Sequence, residues 1–187
     1  VTCHFERYVG PRFTYHSLSH TLRVVNMTEK RAKAEGRNEQ DIQDLIITAW
    51  FHDTGHSVNF FGHEYYSARI ADEALENLDF SAENIKKIRY LILATNPHID
   101  PSSEDERLIK DADLHYLSGH RYFELSGELR KEWSVVEGKH FTDIKWHVHT
   151  LDFFKRHQWL SPWAKENFQH GKIRNQSRIE EKIHELK

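Results

Sequence analysis

One cysteine, Cys3, in 187 residues excludes an internal disulfide and any zinc site built on cysteine thiolates. A reducing, cytoplasmic setting is the expectation that goes with it. Long apolar runs are also missing: no stretch approaches the roughly 18 residues that a membrane span needs. Charge of one sign is not in excess either. With 26 Lys+Arg against 29 Asp+Glu and a net charge of −3, composition argues for neither a nucleic acid nor a membrane surface as partner, and leaves room only for a local basic pocket. The chain begins at Val1, and nothing near its start reads as a signal peptide, because Phe5-Glu6-Arg7-Tyr8 is charged and Gly10-Pro11 interrupts any apolar run. Repeats, low-complexity tracts and linkers are absent. The four prolines, Pro11, Pro97, Pro101 and Pro162, fall between periodic segments, where helix boundaries belong.

What the chain has in abundance is histidine, 15 residues in all. In a chain almost without cysteine, metal binding has to go through imidazole and carboxylate. His4, His120, His140, His147, His149, His157, His170 and His184 show no partner pattern and are expected on the surface or at helix caps. The length suits one compact domain with a full apolar core.

Apolar periodicity predicts seven or eight helices and no convincing strand, so the fold class is all-α, a single domain over 1–187. A first helix runs from about Ser17 to Ala34, closed by Gly36. A second follows Asn38, and its wide apolar face (Ile42, Leu45, Ile46, Ala49, Trp50) makes it central; its pattern carries into Phe51-His52-Asp53 and ends at Gly55. A third covers His63 to about Leu78. A fourth starts at the N-cap Ser81, with Asn84 instead of Glu three residues on, and stops at Asn96-Pro97. A fifth spans about Glu104 to Leu117. Later helices cover roughly Tyr122 to Trp133, Asp143 to His157 and Pro162 to Phe168, followed by a charged helical tail from Gln176. The aromatic-rich C-terminal third is read as helices packing on one another.

Chemistry is concentrated in a few places. Adjacent residues on a helix point about 100° apart, so His52 and Asp53 converge on one ion only where the helix faces a pocket or unwinds. Taken alone, the pair reads equally as a buried histidine bonded to its neighbour. His20, within Tyr15-His16-Ser17-Leu18-Ser19-His20, lies on the first helix. Asp111-Ala112-Asp113 puts two carboxylates in an apolar helix, which is costly unless they are paired or bound to a cation. His63-Glu64 opens the third helix.

The order His20 … His52-Asp53 … Asp113, with Trp50-Phe51-His52-Asp53, Leu91-Ile92-Leu93-Ala94-Thr95 and Ile109-Lys110-Asp111-Ala112-Asp113-Leu114 around it, resembles the HD superfamily of metal-dependent phosphohydrolases. Within it the chain looks most like the small stand-alone members. The resemblance covers about residues 15–118, leaving a C-terminal extension over about 119–187. It implies a helical bundle in which His20, His52, Asp53 and Asp113 hold one divalent ion with positions open for water and phosphate. Asp111 is then a supporting or structural carboxylate. Two imidazoles and two carboxylates suit Mn, Fe, Co, Ni or Zn, whereas Mg prefers oxygen throughout.

His56 matches a histidine that some HD nucleotide hydrolases place near the scissile phosphate, and His63-Glu64 resembles the family's His-Glu, which serves as catalytic acid/base or second-metal ligand. His98 stands where two-metal members carry another histidine; a second ion would take His63 and His98, with Asp53 bridging. The other reading of His98 is a solvent-exposed loop residue. Lys110 and Arg69 are candidates for phosphate contacts, or surface salt-bridge residues; His16 is either a supporting residue or a bystander near the helix cap. The implied function is hydrolysis of a phosphate ester, a nucleotide by expectation, by metal-activated water. The Gly-Tyr-Pro motif of cyclic-di-GMP hydrolases and the purine-gripping glutamine of cyclic-nucleotide phosphodiesterases are absent, so neither substrate is assigned. Two other readings stay open: a di-iron oxygenase, which needs both His63 and His98 on the metals, and a non-catalytic nucleotide-binding domain.

Overall fold

The computed structural model describes residues 1–187, and every regular element in it is helical. Two compact units make up the chain, Val1–Asp113 and Leu114–Lys187. The sequence suggested one domain with a core ending near residue 118. The units part at Asp113 because the helix carrying Asp111 and Asp113 stops there and the chain goes on as a 3-10 turn, Leu114–Ser118.

In the first unit, α1 (Thr2–His4) runs into a π-helical turn, Phe5–Val9. Then come α2 (Leu18–Ala34), α3 (Glu39–Phe51), a 3-10 turn (Thr54–Ser57), α4 (His63–Glu76), α5 (Ala82–Ala94) and α6 (Glu104–Asp113). The caps follow from local chemistry. Asn38 and Ser81, both in extended backbone, accept the backbone N–H groups of Asp41 and Asn84, satisfying donors that a helix start leaves open. Gly36 takes φ 70° just after α2, a conformation that is cheap only for glycine.

α3 is the central element. Leu45 and Ala49 pack with Val24, Val25 and Ala32 of α2, Leu91 of α5, and Leu108 and Ile109 of α6. Its other side sets Ile47 and Phe51 against Ala68, Ala71 and Leu75 of α4 and Ile85, Ile88 and Ile92 of α5. Held between two apolar clusters, the C-terminal end of α3 has little freedom.

α2 and α6 are tied together by Arg31, which is fully buried. Its Nη1 donates to the Leu108 carbonyl at 2.9 Å, its Nη2 to Glu35 Oε1 at 2.9 Å, and Nη2 lies 3.6 Å from Asp111 Oδ2. Asp111 is therefore the structural carboxylate of the Asp111/Asp113 pair.

In the second unit the 3-10 turn is followed by α7 (Tyr122–Val136), α8 (Asp143–Arg156) and α9 (Pro162–Glu185). Trp146 packs edge-on against Trp133 and Phe141, and its indole donates to Ser126 Oγ at 2.9 Å. The sequence predicted two separate segments where α9 is one helix of 24 residues. The polar stretch through Gly171 stays helical because it docks on the 3-10 turn. A Cβ on Gly171 would stand 2.3 Å from the Ser118 carbonyl oxygen. Asn175 Nδ2 donates to the Leu117 and Gly119 carbonyls, and Arg174 to that of Ser118. Such long-range bonds leave no trace in apolar periodicity.

Gly171→Ala should therefore destabilise the second unit by about 1–3 kcal/mol, read from urea unfolding followed by tryptophan fluorescence. A second test concerns His157, expected on the surface or at a helix cap; it is the C-cap of α8, half-buried with its ring 4.5 Å from that of Trp159. Burial, helped by the Lys172 ammonium, lowers its pKa from 6.5 to about 4. As pH falls the unfolded chain takes up this proton first, so the contribution is complete above pH 6.5 and is lost down to about 4. His157→Gln should flatten the decline of the melting temperature across that window relative to the parent chain.

Candidate metal centre

Four side chains from two helices and the end of a third meet in the first unit. His20 comes from the first turn of α2, His52 and Asp53 from the end of α3, and Asp113 from the last position of α6. Two adjacent residues reach one point because the helix stops there. His52 is the C-cap of α3, Asp53 has φ −106° and ψ 2°, and the chain tightens into the 3-10 turn. Gly55 has another task than the helix stop expected of it. A Cβ there would lie 2.0 Å from the His63 carbonyl oxygen and 2.6 Å from the Ser67 nitrogen, while Gly55 N donates to Ser67 Oγ at 2.8 Å. The glycine lets the start of α4 close onto the His52-Asp53 turn.

The donor atoms are spaced as a divalent metal ion would need them. His20 Nε2 stands 3.0 Å from Asp113 Oδ1, 3.3 Å from Asp53 Oδ2 and 3.3 Å from His52 Nε2. His52 Nε2 is 3.2 Å from Asp53 Oδ2 and 3.6 Å from Asp113 Oδ1. Donors bound to one ion at about 2.0–2.2 Å are separated by about 3.0–3.5 Å in octahedral or tetrahedral arrangement. His52 Nδ1 donates to the Ala49 carbonyl at 2.8 Å, which aims Nε2 at the cluster.

Electrostatics agree with the geometry. Burial lowers the pKa of His20 despite Asp113 and Asp53. Burial would lower His52 too, but the carboxylates of Asp53 and Asp113 outweigh it and hold His52 well above its ordinary value. Burial would raise Asp53 and Asp113; His52 and His63 hold the first well below the carboxylate range, and His20 and His52 hold the second below it. Two ionised carboxylates in this space require positive charge between them, as the imidazolium of His52 or a cation in place of its Nε2 proton.

Asp53 faces a second group through its other oxygen. His63 Nε2 is 3.3 Å and His56 Nε2 3.9 Å from Asp53 Oδ1. The rings of His56 and His63 stack at 3.9 Å, and that of His16 lies 4.6 Å from His56. His16, Asp53 and His56 bring donor atoms within 4.8 Å of one another. His56 is 2% exposed, and neither ring nitrogen has a hydrogen-bond partner. Burial, with His16 beside it, lowers its pKa well below the ordinary value and keeps the ring neutral. Glu64 is buried, with Oε2 3.7 Å from His63 Nδ1.

The chain before α2 supports this second group. Phe5, Val9, Phe13 and Tyr15 are buried; Phe13 rests 5.2 Å from the His56 ring. His4, which showed no partner pattern in the sequence, caps the π-helical turn and reaches the Thr54 carbonyl at 3.1 Å and Ser57 Oγ at 2.9 Å, pinning the turn that carries His56. The sequence reading gave this segment no role and left His16 between two. Its one signal was the apolar spacing Phe5, Val9, Phe13 ahead of the first helix.

Two expected residues, Arg69 and His98, face outward, and a third, Lys110, is engaged by backbone carbonyls. Lys110 points its ammonium at the carbonyls of Ala94, Asn96 and Ile99, at 2.7, 2.6 and 2.9 Å, and so closes the end of α5 and the loop after it. Three carbonyls take its donors, and the carboxylates of Asp113 and Glu64 lie close enough to act on its charge. Arg69 is exposed on α4. His98 is exposed as well, in a turn where its N–H donates to Asn96 Oδ1, and it belongs to neither donor group. The second-metal pair His63 and His98 is thus not assembled; His16 and His56 are the histidines beside His63.

A helical unit closing two imidazoles and two carboxylates around one point belongs to the class of domains built to hold a metal ion. The sequence pattern of the HD domain matches residues 17–115, and the chain belongs to the HD domain family. Among solved structures it is similar to a predicted HD superfamily hydrolase from an uncultured Thermotogales bacterium, at 20% identity over 82% of this chain and 84% of that one, with a TM-score of 0.55. At that identity the likeness speaks for the fold. No curated protein matches the chain, and no helix is long and apolar enough to cross a membrane.

The ligand set predicts metal content directly. After loading with Mn²⁺ or Zn²⁺ and dialysis, Asp53→Ala and His52→Ala should each lose most of the metal, while His98→Ala should keep the parent amount. Elemental analysis of each chain, with circular dichroism as a folding control, is the measurement.

Proposed function

We propose that the chain is a metal-dependent phosphohydrolase that cleaves a phosphate ester, with nucleotides as the substrate class. The observation that carries this reading is the two-sided carboxylate of Asp53. One oxygen faces the cluster suited to a cation, and the other faces imidazoles suited to moving a proton.

In this reading His20, His52, Asp53 and Asp113 hold a divalent transition metal. When bound, it supplies Lewis acidity toward a phosphate oxygen and acidifies water at neutral pH. The remaining steps belong to the chain. His56, neutral and with free ring nitrogens, accepts a hydrogen bond or proton from the attacking water. His63 sits beside Asp53 with its Nδ1 toward Glu64 and the Phe60 carbonyl; in this reading it passes a proton to the leaving oxygen. The buried Glu64 orients it. Phe61 and Tyr65, on either side of His63 in sequence and both exposed, are available to stack on a base. The hydrolase name of the structural neighbour agrees with this class.

A di-iron oxygenase is disfavoured by the outward position of His98. A non-catalytic nucleotide-binding domain is disfavoured by a complete donor set and by a buried, unpartnered His56 that binding alone does not require.

A phosphate-release screen over nucleotides and phosphomonoesters, with Mn²⁺, Fe²⁺, Co²⁺, Ni²⁺ or Zn²⁺, tests the proposal. Activity should appear in the parent chain and vanish in Asp53→Ala. His56→Ala and His63→Ala should each lower kcat by about 10²–10⁴-fold, with KM changed far less. Release no faster than that of Asp53→Ala across the whole screen would remove the hydrolase reading.

A further inference from the structure

The second unit has a pocket of its own, beyond the residues matched to the HD domain. Its volume is about 430 Å³, and no acidic residue lines it. Phe154, His157, Trp159 and Lys172 form its inner surface. Lys165 and Gln176 approach from the same face of α9 as Lys172, at helical spacing.

Three polar groups there are poorly satisfied. Lys172 is 5% exposed, and its ammonium donates to the His157 carbonyl. Burial lowers its pKa, and no carboxylate offsets this. Trp159 is 2% exposed, yet its buried indole Nε1 has no acceptor. His157 Nδ1 is buried without a partner as well. A buried ammonium with one carbonyl acceptor and no counter-charge, beside an indole N–H and an imidazole nitrogen without partners, carries a desolvation cost that folded chains rarely tolerate. Every one of these groups can donate, and the cations at the opening (Lys155, Lys165) add positive potential. The missing partner is therefore rich in acceptors and negatively charged.

We propose that this pocket binds a small oxyanion of the phosphate class, either inorganic phosphate or the phosphate group of a small organic ester. Lysines are point-charge partners for phosphate oxygens, and the walls of Phe154 and Trp159 leave room for an apolar substituent. The site is independent of the proposed hydrolysis, since its residues all lie in the second unit.

The test uses the full chain carrying Asp53→Ala, so that phosphate held at the metal centre does not contribute. Calorimetric titration with inorganic phosphate and with phenyl phosphate, at fixed ionic strength, should each show one saturable site. Tighter binding of phenyl phosphate points to an organic ester as the natural occupant; equal or weaker binding points to phosphate itself. Adding Lys172→Met should weaken binding about tenfold, the loss expected for one charge-assisted hydrogen bond. Adding Lys165→Gln, an exposed change that leaves the packing intact, should weaken it measurably less; it decides the matter alone if Lys172→Met fails to fold. Acetate should bind at least tenfold more weakly than phosphate. Absence of saturable binding, unchanged affinity in the folded lysine variants, or acetate as tight as phosphate would each overturn the proposal.

Discussion

The structure of the first unit depends on where the carboxylate of Asp53 sits. It is buried, one oxygen lies 3.2–3.3 Å from two imidazoles of one cluster, and the other lies 3.3 Å from an imidazole of a second. A carboxylate so far from water is stable as an anion only among positive charge and donors. That requirement is met by the imidazoles of His20, His52 and His63 gathered around it. Each imidazole supplies either a donor or a lone pair, as its other nitrogen and its neighbours dictate.

Packing and polarity divide the labour. Two apolar clusters clamp α3 from opposite sides, so the turn at its end is aimed by the core and not by the ligands themselves. Arg31 and Asp111 do the same for α6, and Lys110 for the end of α5. The polar residues nearest the centre in sequence are thus partly occupied in holding the frame. That is why Asp111 and Asp113, two residues apart, end in different surroundings.

The helices were legible in the sequence because apolar period is a local rule. The grouping of His20, His52, Asp53 and Asp113 was not local: residues as far apart as His20 and Asp113 were linked only by resemblance to the HD superfamily, and the folded chain brings them within reach of one another. The surroundings were less legible. Lys110 looked available because sequence cannot show that three carbonyls converge on its ammonium. His98 was linked to a metal by resemblance, but an Asx turn at Asn96 carries it outward. The continuity of α9 depends on bonds to residues more than fifty positions earlier. His4 and His16 gave no signal of their own, since their importance comes from an N-terminal segment folding back over the turn of His56.

The order in which the chain emerges during synthesis gives the donor set a further property. His20 lies near the start of the first unit and Asp113 is its final residue, so the centre cannot close until the whole unit is out of the ribosome. Contacts this distant in sequence are slow to form and are preceded by local helix pairing. A nascent chain therefore exposes histidines and carboxylates one at a time, each a weak and indiscriminate ligand. The full set of four side chains comes together only when α6 docks on α2 and the Asp113 carboxylate falls into register.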